Sequence, residues 1–101
     1  MSPDAPELIT LRVRISGKVQ GVWYRGWAIE TARALGLSGW VRNRADGTVE
    51  ALLHGPETVV RDMVDACRKG PSGARVADVT VEPADAKGDD VAGGFTQRPT
   101  V

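Results

Sequence analysis

The feature that most constrains this chain is a change of hydrophobic period across Gly17-Lys18-Val19-Gln20-Gly21-Val22-Trp23-Tyr24-Arg25. Before it, Ile9, Leu11, Val13 and Ile15 alternate with Thr10, Arg12, Arg14 and Ser16, the period of a half-buried strand. After it, Tyr24, Ala28, Thr31, Ala32 and Leu35 recur at helical spacing. Gly36 then stands where a left-handed cap ends a helix, with Leu37 able to cover the last turn. A strand, a glycine turn and a helix start aim several backbone N–H groups at one place. First-turn N–H groups have no intrahelical partner and carry partial positive charge, so such a junction holds anions. Gly17 and Gly21 permit positive φ and a close backbone approach. Arg25 adds a planar fork of donors suited to phosphate. On this physics Gln20, Gly21, Val22, Trp23, Tyr24 and Arg25 form a phosphate cradle with a guanidinium clamp.

The remaining elements follow in order. Residues 1–8 read as a flexible leader, and residues 9–101 as one domain. A second strand runs over Gly39–Asn43, and Asp46-Gly47 signals a hairpin into a third strand over Thr48–His54. Gly55-Pro56-Glu57 opens a second helix, whose apolar stripe is Val59, Val60, Met63, Val64 and Cys67. Gly70-Pro71 ends it. A fourth strand spans about Arg75 to Glu82, Pro83–Ala92 reads as a polar linker, and Gly94–Arg98 as a short edge strand. The order β-α-β-β-α-β is the split pattern of the ferredoxin-like α+β fold, expected as an antiparallel sheet with two helices on one face. In that topology the first two strands are parallel, with the third antiparallel between them. The cradle and Asn43 then emerge at the same sheet edge, and His54 at the opposite one.

The totals exclude several classes. With 13 basic and 13 acidic residues and no block of either sign, the broad basic field of a nucleic-acid binder is missing. No apolar run approaches the ~18 residues of a membrane span. Cys67, the sole cysteine, cannot form an internal disulfide, which favours a reducing cytoplasm and excludes metal-carrier versions of the fold. An RNA-binding version wants aromatics on the open face of the first and third strands, where Thr10, Arg12, Arg14, Ser16, Thr48, Glu50, Leu52 and His54 stand instead.

The nonapeptide from Gly17 to Arg25 resembles the acylphosphatase signature. Gly39-Trp40-Val41-Arg42-Asn43 with Asp46-Gly47-Thr48-Val49-Glu50 resembles that family's second signature, one helix later. The resemblance covers Leu11 to the C-terminus. It implies hydrolysis of acyl phosphates to carboxylate and inorganic phosphate without a metal or other cofactor. Arg25 is then the phosphate-binding arginine and Asn43 the residue that orients the attacking water. The partners implied are a small-molecule acyl phosphate and, as product-like ligands, phosphate or sulfate. A cytoplasmic monomer is the expectation, with no nucleic acid and no membrane. Lys18 keeps the charge of the commoner arginine.

The residues support that chemistry by what they lack. There is one histidine, no metal-ligand cluster, no G-x-S-x-G and no Cys/His pair. A guanidinium, backbone N–H groups and an amide can position substrate and stabilise charge, but they supply no general acid. A carboxylate leaving group, with a conjugate-acid pKa of about 4, departs without one. Phosphoryl transfer asks for little more. The rival reading is a non-catalytic phosphate, anion or partner-binding module on the same fold. Trp23, Trp27 and Trp40 read as packing residues, Tyr24 as core, and Cys67 as a buried small hydrophobe. Thr48 reads as a strand residue whose hydroxyl could support Asn43, and Asp89-Asp90 as solvated.

Overall fold

In the computed structural model, which describes residues 7–101, the alternating run becomes β1 (Leu8–Lys18). It is followed by α1 (Tyr24–Ala34), β2 (Ser38–Asn43), β3 (Val49–Pro56), α2 (Glu57–Lys69), β4 (Arg75–Pro83), α3 (Gly88–Val91) and β5 (Phe95–Gln97). Most of the expected leader lies outside the described residues, but Leu8 already pairs with Pro56 in the sheet. The strands are ordered β4-β1-β3-β2-β5, so β3 lies antiparallel between β1 and β2 as the split pattern requires.

Three expectations change. The sheet is mixed rather than antiparallel, because β5 pairs parallel with β2, Gly39 opposite Phe95 and Val41 opposite Gln97. The supposed linker contains the short helix α3. Asp90 is not solvated: its Oδ1 accepts from Trp40 Nε1 at 3.1 Å and lies 3.0 Å from Arg98 Nη2. This covers Trp40, which is 4% exposed, on the face of the sheet away from the two long helices.

The helical face holds the core. Leu11, Val13 and Ile15 of β1 meet Val60, Met63, Val64 and Cys67 of α2, together with Ala28 and Ala32 of α1. Burial pushes the Cys67 thiol up to about 11, so it stays a neutral hydrophobe at physiological pH. The Tyr24 hydroxyl donates to the Cys67 carbonyl at 2.6 Å, tying the first turn of α1 to the last turn of α2. At the other end of α1, Gly36 has φ 72°, and Leu37 N–H donates back to the Ala32 carbonyl at 2.9 Å. That is the cap expected from the sequence. Gly17, at φ 115°, sits at the bulge that shifts the β1–β4 register, where any Cβ would run into the Arg75 carbonyl.

The open face is organised by one carboxylate. Glu50 is 3% exposed, and its Oε1 accepts from Arg42 Nε at 2.7 Å and from Arg44 Nη1 at 3.0 Å. Arg12 and Arg14 approach its Oε2 at 3.6 and 3.7 Å. Burial by itself raises the Glu50 pKa, but the hydrogen bonds and charges of Arg42 and Arg44 outweigh it and hold the carboxyl below its ordinary value. A depressed folded value means the stabilisation is complete above the unfolded glutamate value of about 4.3. It is lost as pH falls through the folded value. Glu50→Gln is expected to cost about 1.5–3 kcal/mol at neutral pH, the range for hydrogen bonds to a charged group. The variant's melting temperature should also fall less steeply on acidification than the parent's. Parallel melting profiles for the two proteins would remove Glu50 from the acid response.

Candidate active site

The period change resolves into a loop over 19–23 between β1 and α1, at the carboxyl end of β1. Gly21 takes φ 74° and Trp23, the N-cap of α1, φ 66°. The backbone N–H groups of Gln20 to Arg25 donate to no backbone carbonyl among the described residues. They are free to converge on one anion, as the first turn of a helix allows.

Asn43 ends β2, and the same strand end is held by the hairpin, where Arg44 N–H donates to the Thr48 carbonyl at 2.9 Å. Asn43 and Arg25 line one pocket of about 200 Å³, with Gln20, Gly21, Trp23 and Tyr24 of the loop. The two loops far apart in sequence do meet. Arg25 forms no ion pair with an acid among the described residues, and no Asp or Glu lines the pocket. Arg25 therefore lines a cavity without a counter-ion among the described residues. The Asn43 Oδ1 is buried without a protein hydrogen-bond partner. A buried acceptor in that state costs about 1–3 kcal/mol.

One role and one residue were not evident from the sequence. The Gln20 side chain donates through Nε2 to the Arg44 carbonyl at 2.8 Å and the Thr48 carbonyl at 2.9 Å. It couples the cradle to the hairpin that carries Asn43. Gln97 of β5 also lines the pocket, because the parallel pairing places it opposite Val41. A glutamine inside a known signature gave a signal for its position but not for its role, and Gln97 gave none.

With the geometry in place, comparison with known proteins is direct. A sequence model of the acylphosphatase family matches residues 11–96. The chain belongs to the acylphosphatase family. An acylphosphatase of Rhodospirillum rubrum is 64% identical over 92 residues, covering 91% of this chain and 98% of that one. The structure of an acylphosphatase from Coxiella burnetii superposes with a TM-score of 0.83 at 32% identity, over 90% of this chain and 93% of that one. That of the Bacillus subtilis acylphosphatase gives 0.81 at 33% identity, over 91% and 99%.

Other residues of the acylphosphatase signatures separate by position. Val22 belongs to the loop, but its side chain lies near Gly73 and does not line the pocket. Lys18 is exposed at the end of β1 and also stands outside it. The Thr48 hydroxyl donates to Asp46 Oδ1 at 2.6 Å, so it shapes the turn and does not support Asn43. His54 pairs with Thr10 through Nδ1 at 2.8 Å, opposite the amino end of β2, at the far edge of the sheet. Trp40 is buried and Trp27 packs edge-on against Tyr24 at 5.2 Å. Trp23 departs from the expected packing role, being 60% exposed. Among the described residues no group of three or more His, Cys, Asp or Glu could hold a metal ion. None of the described helices is long and apolar enough to cross a membrane.

Proposed function

We propose that hydrolysis of acyl phosphates takes place in the pocket shared by the loop over 19–23 and the end of β2, within a catalytic domain formed by residues 9–101. Arg25 holds two phosphoryl oxygens, and the N–H groups of Gln20 to Arg25 hold the remainder. The Asn43 side-chain amide holds a water and sets it in line with the bond to be broken. The water oxygen forms a new bond to phosphorus while the phosphorus–acyl oxygen bond breaks. The electron pair leaves with the carboxylate, which needs no proton, and the water proton passes to a phosphoryl oxygen of the substrate. The products are carboxylate and inorganic phosphate. The chain does this as a cytoplasmic monomer, with its one cysteine kept reduced and buried.

The observation that carries this reading is the convergence on one cavity of Arg25, which has no ion-pair partner among the described residues, and Asn43, a neutral amide from a distant strand end. A module that only bound anions would need the first and have no use for the second. Burial raises the Tyr24 phenol well above its ordinary value, so this pocket residue stays protonated. Among the described residues no histidine or acid lines the cavity. Turnover of benzoyl phosphate is therefore expected to be flat across neutral pH, with inorganic phosphate as a competitive inhibitor. A bell-shaped profile at neutral pH would mean that a titrating protein group takes part in the step. Absence of turnover beside intact phosphate binding would favour the anion-binding module.

A further inference from the structure

Trp23 is the one non-glycine residue with positive φ among the described residues. In that region the Cβ crowds the following carbonyl, which is why glycine is the usual occupant. Gly21, two residues earlier, takes φ 74° without that crowding. The Trp23 side chain gains little from the core, since the residue is 60% exposed. A strained, exposed aromatic residue beside a site points to a use in that site.

The ring is held in place. Its Nε1, Cε2 and Cδ1 lie against Gly26 so closely that any Cβ there would overlap them. One side of the indole is thus seated on the first turn of α1, and the rest forms a fixed apolar plate on the rim of the pocket. The other apolar lining residues have no surface to offer a ligand, as Tyr24 is 2% and Val19 1% exposed. With the phosphoryl group on the cradle, an acyl group that passes over the Trp23 side of the pocket meets this plate. A flat aromatic acyl group gains from stacking on an indole, whereas acetyl or carbamoyl is too small to do so. We infer that Trp23 is a specificity-determining residue that favours acyl phosphates with an aromatic acyl group. This rests on the assignment of the pocket to acyl phosphate hydrolysis.

The test compares kcat/KM for benzoyl phosphate and acetyl phosphate in the full chain and in Trp23→Gly and Trp23→Phe. Glycine is compatible with the backbone at this position, and a melting curve checks that the variant folds. The benzoyl-to-acetyl ratio is expected to fall about threefold to tenfold in Trp23→Gly, mainly through KM for benzoyl phosphate. Trp23→Phe should recover most of the ratio. Loop defects that affect both substrates cancel in it. A ratio unchanged in Trp23→Gly, or lost equally in Trp23→Phe, overturns the inference while leaving the pocket assignment intact. A parent chain that hydrolyses neither compound overturns both.

Discussion

Arg25→Lys is expected to lower kcat/KM for benzoyl phosphate by about 10²–10³-fold, the usual loss when one preorganised charge-stabilising donor is removed. Lysine keeps the charge but loses the fork that engages two phosphoryl oxygens at once. Among the described residues the pocket offers no substitute, since Arg25 is the only charged one lining it. Inhibition by inorganic phosphate should weaken together with turnover, because the arginine contacts the anion in ground state and transition state alike. A variant retaining most of the parental turnover would mean that the anion's main partner lies elsewhere. Lys18, exposed at the end of β1, would be the first alternative to examine.

Asn43→Ala should separate binding from turnover. A water misplaced by about an ångström costs on the order of 10²-fold in rate, so kcat should fall by about that factor. Phosphate inhibition should persist, since the cradle and Arg25 are untouched. The melting temperature is expected to hold or rise, because the substitution removes a buried acceptor that has no protein partner. Loss of rate together with stability would indicate that Asn43 only supports the hairpin. Parental turnover would rule out its role in orienting water.

The parts of the fold that could be read from the sequence are those written locally. The alternation of Ile9 to Ile15, the Gly36 cap, the Asp46-Gly47 turn and the stripe of α2 each depend on neighbours within one or two turns. Their order was enough to set Arg25 and Asn43 at the same sheet edge, because chain direction decides which strand ends coincide. What could not be read depends on long-range pairing. The sequence offers an edge strand over Gly94–Arg98, but three residues of β5 carry no period that names a partner, and their parallel register with β2, which puts Gln97 in the pocket, is fixed only in the folded sheet. Asp89-Asp90 looks solvated until the fold brings Trp40 and Arg98 to Asp90. Glu50 falls on the polar side of an alternating strand, so its sequence position suggests exposure. Only the cross-strand register gathers Arg12, Arg14, Arg42 and Arg44 around it. The backbone of Trp23 is a similar case, since a left-handed tryptophan runs against local preference.

The Gln20 side chain has a consequence for timing. Its amide is committed to two main-chain carbonyls of the opposing hairpin, so the loop over 19–23 and the segment bearing Asn43 are fastened to each other without any ligand between them. Under the proposed function, the groups that meet the phosphoryl charge are then placed by folding rather than by the arrival of substrate.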